Sequence, residues 1–185
     1  MAIVVGALAI LSAWIFGKTF ELIVDKPIWW LDTPAVMGFF GAYWGLLDRA
    51  AWRWRLGPLR FSTHADLSGV WDGIIESSFN ERTTVEAVLY IKQSYSRILI
   101  ELHTKDSRSR SEMAAISGKF GTFTVLRYNF INDPRPLAHA AMLLHRGYVA
   151  LELIDNARLE GDYSTDRHRG NYGRMSFTRR KNKAG

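Results

Sequence analysis

Two stretches of this 185-residue chain bring hydroxyl and guanidinium groups together at spacings suited to holding an anion. In Asp106-Ser107-Arg108-Ser109-Arg110-Ser111 the hydroxyls alternate with the arginines. On a strand, that period puts Ser107, Ser109 and Ser111 on one face and Arg108 and Arg110 on the other. Either face can meet phosphate, the arginines through paired hydrogen bonds. A solvated hairpin tip has the same pattern. The second stretch is Tyr163-Ser164-Thr165-Asp166-Arg167-His168-Arg169-Gly170, with Arg174 just beyond. Here Thr165, Arg167 and Arg174 gather around a turn. Tyr128 and Tyr163 can stack on nucleobases, as aromatics do in single-stranded nucleotide sites, or can pack in a core.

Catalysis finds little to work with, and no cofactor is expected. The five His are scattered, without the spacing of metal ligands. His139 and His145 share a strand face but stand about 20 Å apart on it. There is no nucleophile elbow and no Gly-rich phosphate loop. The expected reading is a binding protein and not an enzyme.

The segments that must position these residues are strand-like. From Leu67 to Arg180 the chain runs in short alternating stretches, each closed by a turn signal. Nine candidates can be drawn: 68–77, 84–93, 97–104, 110–120, 122–132, 139–145, 148–154, 158–165 and 172–178. Asn80-Glu81-Arg82, Gly121, Arg146-Gly147, Asp155-Asn156 and Gly170-Asn171 are the expected turns, and Asp133-Pro134-Arg135-Pro136 a loop. Such connections leave no room for crossover helices, so the pairing is antiparallel. Closure into a small barrel of about eight strands removes the exposed edges. Ile98, Ile100 and Leu102 share one face; Leu126, Tyr128 and Phe130 share another. A barrel of this size fills with side chains or holds one small ligand. Trp71, between Gly69 and Gly73 on one face, either fills the core or plugs one end.

Before the barrel, the chain is of another kind. Ala2 to Phe16 carries no charge, and continuing the helix to Val24 gives the length of a membrane span, about 20 residues. Lys18 and Glu21 can pair at helical spacing. Pro27 ends this helix. Asp32 or Thr33 can cap a second, with Pro34 at its start, running to Trp54 and long enough to span. Six of the seven Trp precede residue 55 and suit interfacial belts. Gly38, Gly41 and Gly45 share a helix face that admits another helix, from the same chain or from a second copy. Arg49, Arg53, Arg55 and Arg60 follow the second span, so both termini are expected on the cytoplasmic side. The expected organisation is an anchor of two transmembrane helices over 1–55, a linker over 56–66, the barrel over 67–180 and a basic tail over 181–185.

Cysteine is absent, which excludes disulfides and thiolate metal sites. The formal net charge is +6, and the excess of Lys and Arg lies after Asp48. A basic domain favours an anionic partner such as a nucleotide, a nucleic acid or acidic lipid.

Several motifs and their order carry a resemblance. They are Leu67-Ser68-Gly69-Val70-Trp71-Asp72-Gly73; Ile91-Lys92-Gln93 before the Ser107–Ser111 turn; Leu126-Arg127-Tyr128-Asn129-Phe130-Ile131-Asn132-Asp133-Pro134; His145-Arg146-Gly147; and Leu159-Glu160-Gly161-Asp162-Tyr163-Ser164-Thr165-Asp166-Arg167. With the apolar N-terminal segment, the chain resembles the two-transmembrane β-barrel effectors of bacterial cyclic-oligonucleotide-based antiphage signalling (CBASS). The resemblance implies a receptor for a cyclic dinucleotide, and no nucleic acid polymer as partner. It implies a homo-oligomer in the inner membrane that disrupts the lipid and kills the infected cell. The chemistry of the residues then assigns the ligand pocket to Ser109, Ser111, Tyr128, Tyr163, Thr165, Arg167 and Arg174. A tethered barrel for lipid or fatty acid, and a ligand-free membrane scaffold, remain the alternatives.

Overall fold

The computed structural model describes residues 1–24, 32–56, 59–60, 62–79, 83–119, 123–134, 144–167 and 169–181. Two compact units result, Met1–Ser62 and Thr63–Gly185.

The first unit holds helices α1 (Ala2–Val24) and α2 (Asp32–Arg49). Lys18 and Glu21, the charges of α1, neutralise each other at 2.8 Å one turn apart. Ala2–Ile23, with mean hydropathy 1.9, is the single helix among the described residues long and apolar enough to cross a membrane. Val5, Ala9 and Ala13 are buried at four-residue spacing. Ala9 and Ala13 are small, which lets the helices approach. Ser12 Oγ meets Tyr43 Oη at 2.7 Å, and the Phe16 and Phe39 rings lie 6.2 Å apart. Contacts step up α1 as they step down α2, so the pair is antiparallel.

The second helix is shorter than its sequence suggests. It ends at Arg49, after 18 residues. Ala50 leaves helical geometry at φ −137°, ψ −52°, and Ala51–Arg53 forms a separate 3-10 turn. Two-residue strands β1 (Arg55–Leu56) and β2 (Leu59–Arg60) pair beyond it. The expected connection with Pro27, Trp29 and Trp30 lies outside the described residues.

The second unit is a closed antiparallel barrel of eight strands: β3 (Gly69–Ser77), β4 (Thr83–Gln93), β5 (Ile98–Thr104), β6 (Ser107–Lys119), β7 (Phe123–Pro134), β8 (His145–Ile154), β9 (Arg158–Thr165) and β10 (Tyr172–Arg179). Each strand pairs with its successor, and β10 closes onto β3. Asp155 and Asn156 both have positive φ, 51° and 56°, as a two-residue hairpin turn that follows the strand twist requires.

Eight strands form, as the barrel of about eight strands requires, and the expected turn at Arg146-Gly147 is not one. β8 runs through it, with Gly147 opposite Phe130 on β7 and Thr165 on β9. The glycine is explained by packing: a Cβ there would strike the Phe130 ring. The candidate strand 139–145 lies, up to residue 143, outside the described residues. Gly73 opposite Phe177 and Gly173 opposite Tyr163 repeat the device. A narrow barrel holds large rings by leaving the facing position without a side chain.

The end of the barrel at the start of β3 is closed. Leu67 and Trp71 are fully buried. The indole N–H of Trp71 donates to the Leu67 carbonyl at 3.0 Å, and the Arg179 guanidinium sits 4.5 Å above its ring. Gln93 accepts from Leu67 N at 2.8 Å and donates to Ala65 O at 2.9 Å, fastening the entering chain across this end.

Candidate functional site

At the opposite end, where β3, β5, β7 and β9 finish, the barrel opens into a cavity of ≈ 150 Å³. Its deeper wall is apolar: Ile75, Leu102, Phe130 and Met175 line it. Above them the wall turns polar. Four side chains that are polar and buried occur among the described residues, namely Ser107, Ser109, Thr124 and Asn132, and three of the four line this cavity.

Strand register brings them together. Leu102, Ser109, Asn132 and His145 are successive cross-strand partners on β5, β6, β7 and β8. Side chains in such a row share a face. Ser109 Oγ donates to Asn132 Oδ1 at 2.7 Å. Ser107 N donates to Thr104 Oγ1 at 3.0 Å, which tightens the β5–β6 turn. Across the mouth, Tyr163 Oη donates to Ser77 Oγ at 2.6 Å. Thr165 Oγ1 accepts from Asn171 N at 2.8 Å and donates to Asn171 O at 3.0 Å.

Arg169 supplies positive charge at the rim. Its backbone N–H donates to Asp166 Oδ1 at 3.2 Å, which fixes the β9–β10 turn. Its Nη1 donates to His145 Nδ1 at 3.3 Å, so the imidazole proton of neutral His145 resides on Nε2. The guanidinium also lies 5.4 Å over the Phe79 ring. A cation, a ring face and buried hydroxyl and amide groups therefore converge on one opening. Among the described residues, no cluster of three metal-ligating side chains exists.

The expected pocket residues separate into those at the mouth and those elsewhere. Ser109, Tyr163 and Thr165 line the cavity. Ser111 does not. A bulge interrupts β6 between Ser111 and Met113, and the Ser111 hydroxyl accepts from Ile100 N at 3.0 Å in place of a ladder bond. Tyr128 is two residues below Phe130 on the same inward face and is not part of the cavity wall. Its hydroxyl is buried without a partner among the described residues, and burial pushes it well above the usual phenol range. Arg167 is exposed in the turn and does not line the cavity. Arg174 points outward, since Met175 beside it points in, and pairs with Glu160 at 3.8 Å. The arginines of the Ser/Arg alternation also face out. Arg108 pairs with Glu101 at 2.5 Å and holds that carboxyl below the usual range. Trp71 belongs to the closed end. Gly38, Gly41 and Gly45 have nothing within 4 Å of where a Cβ would stand, so their face is not the one packed on α1.

Asn132, His145 and Arg169 are the mouth residues that the sequence reading passed over. For Asn132 the signal was present. Extending the inward set Leu126, Tyr128, Phe130 by one step reaches it. Arg169 sits in a turn, where alternation gives no orientation.

The family described as "Cap15, cyclic dinucleotide receptor domain" matches residues 62–179. The chain is 32% identical over 146 residues to CD-NTase-associated protein 15 of Yersinia aleksiciae, covering 75% of this chain and 68% of that protein. To the protein of the same name from Staphylococcus schleiferi it is 26% identical over 148 residues, covering 78% and 80%.

Proposed function

The chain belongs to the Cap15 cyclic dinucleotide receptor family, and from that membership we propose that the open end of its barrel is the messenger site of a CBASS effector. One observation carries the reading: three of the four buried polar side chains among the described residues line that cavity. Burying a polar group without use is costly. At the Trp71 end the polar side chains Gln93 and Arg179 bond the backbone of the entering chain, whereas at the open end polar side chains line a cavity.

The proposed contacts are Ser109, Asn132, Tyr163 and Thr165 inside the mouth, with Arg169 at the rim. The cavity is smaller than the 300–1,000 Å³ of common ligand clefts, roughly. The ligand therefore enters with one base, and its phosphates stay at the rim beside Arg169. Phe79 and Phe130 offer ring faces for the base. Trp71 closes the far end.

The membrane steps belong to the same proposal. Both helices insert in the bacterial inner membrane, α1 as a span and α2 packed antiparallel along it, with the barrel and both termini on the cytoplasmic side where the messenger is made. Messenger binding drives assembly through the Gly38, Gly41 and Gly45 face, and assembly disrupts the membrane. A ligand shifts such an equilibrium only by binding the assembled state more tightly than the resting one.

Thermal melting of the full chain in detergent micelles, against a panel of cyclic dinucleotides, tests the site. A ligand at a hundredfold excess over its dissociation constant stabilises by about 2.7 kcal/mol. A melting shift with one class of messenger is the expected result. No shift with any member, from a chain that melts cooperatively, would sink the reading and return the lipid or scaffold alternatives.

A further inference from the structure

Resting on the messenger reading, we propose that Asn132 selects which base enters the barrel, accepting bases that present a carbonyl oxygen, guanine or uracil, over adenine.

Asn132 is 4% exposed and Ser109 6%, and both line the cavity. The Ser109 hydroxyl has one proton and donates it to Asn132 Oδ1. That fixes the amide, with its oxygen turned toward β6. The two N–H groups on Nδ2 have no acceptor among the described residues. A buried amide holds two donors and seeks acceptors for them.

An asparagine with both ends open reads adenine well, since its oxygen takes the N6 amino proton while its nitrogen gives to N7. Here Ser109 turns the oxygen toward β6, and the amino group is the end of the amide left for a ligand. What remains is a donor pair, which matches O6 and N7 of guanine or a carbonyl of uracil. Adenine would bring its own N6 donors against those of Asn132. Adenine N7 can take one of these protons, but its N6 amino group is then left facing a donor, and a buried donor left unpaired costs most of its desolvation. The apolar wall below, Leu102 and Phe130, gives that donor no substitute. Besides lining the mouth, Ser109 positions Asn132 and so acts on the base through it.

The experiment is equilibrium binding of cyclic di-GMP, cyclic di-UMP and cyclic di-AMP to the full chain in micelles, with thermal melting of each unliganded variant alongside. The wild type is expected to prefer one carbonyl-bearing messenger over cyclic di-AMP by about tenfold or more, as a well-placed pair of hydrogen bonds allows. Asn132→Ala should bring the ratio near one with cyclic di-AMP affinity little changed. Asn132→Asp keeps the shape but carries only acceptors, and should move the ratio toward adenine. Ser109→Ala should narrow the ratio by freeing the amide to turn, with a modest loss in the unliganded melt from the missing buried bond. Equal or tighter binding of cyclic di-AMP by the wild type overturns the proposal without any variant. So does an equal loss for all three messengers in Asn132→Ala, which would leave the messenger site standing. Failure of every messenger to bind the wild type removes the site itself, and this inference with it.

Discussion

Gly173 stands directly across the β9–β10 ladder from Tyr163, and the tyrosine ring occupies the space that a Cβ on Gly173 would take. The ring is thereby pressed over the cavity, where its hydroxyl reaches Ser77 on β3 at 2.6 Å. One missing side chain thus sets the position of a mouth residue and ties three strands together. Gly173→Ala should push the ring and the Glu76 carbonyl, and cost about 1–3 kcal/mol by overpacking. Tyr163→Phe keeps the ring and should cost about 1 kcal/mol, the worth of one hydrogen bond. Denaturant melts of both variants and of Ser77→Ala check this. A Tyr163→Phe, Ser77→Ala cycle with no coupling would show that the bond contributes nothing.

Arg169, not Arg167, is expected to carry the phosphate contact. Arg169 is held at the rim by Asp166 and His145, whereas Arg167 is exposed in the same turn and lines no cavity. Arg169→Ala should weaken messenger binding by about tenfold to a hundredfold, as for a hydrogen bond to a charged group. Arg167→Ala should leave the affinity within about twofold, an outward charge being screened by salt. Titration calorimetry on both variants decides between them. A reversed ranking would place the phosphate on the outer side of the turn.

The two residues differ in how well a sequence can fix them. Alternation put Ser109 on the hydroxyl face, and it stayed correct because β6 is regular up to Ser111. Past Ser111 the bulge changes the count, and nothing local in Ser111-Glu112-Met113 announces it. Arg174 was grouped with the pocket by nearness in sequence, yet one step of alternation from Met175 turns it outward. Gly147 read as a turn because glycine before an apolar run commonly is one. Its reason is Phe130, seventeen positions earlier, a cross-strand partner that only the register reveals. The barrel itself was legible because its turns are short and its strands consecutive. The end of α2 was not, since Ala50-Ala51-Trp52 has no helix breaker and stops the helix by backbone geometry alone.

Tyr128 has a buried hydroxyl with no hydrogen-bond partner among the described residues. Tyr128→Phe should therefore raise stability at neutral pH by about 1 kcal/mol, since an unsatisfied buried donor is removed. The phenol is raised by burial alone, so the folded state favours its neutral form. That preference is fully present below the unfolded pKa, about 10. It is lost progressively as pH rises past that value, because the unfolded chain ionises first. Melting between neutral pH and pH about 11 should show an alkaline loss that shrinks in Tyr128→Phe. Messenger affinity should not change, as the cavity wall ends above this ring. A loss of affinity would mean that the ligand reaches deeper than Phe130.

The Gly38, Gly41 and Gly45 face gives the last prediction, because it separates messenger binding from its consequence. A Cβ at Gly41 meets nothing within 4 Å among the described residues, so Gly41→Ile is expected to disturb no contact seen between the two helices. Its effect should appear only where a second helix approaches. In liposomes carrying the full chain and an entrapped dye, messenger should release dye from wild type. With Gly41→Ile, release should fall to the messenger-free level. The messenger-induced melting shift should remain, since the barrel is unaltered. Small residues matter at membrane interfaces because they let backbones come close, and a branched side chain holds them apart. Undiminished release by Gly41→Ile would take this face out of assembly and leave the Val5, Ala9 and Ala13 stripe, already buried in the helix pair, unavailable as its replacement. Assembly would then have to run through a surface other than these two helix faces.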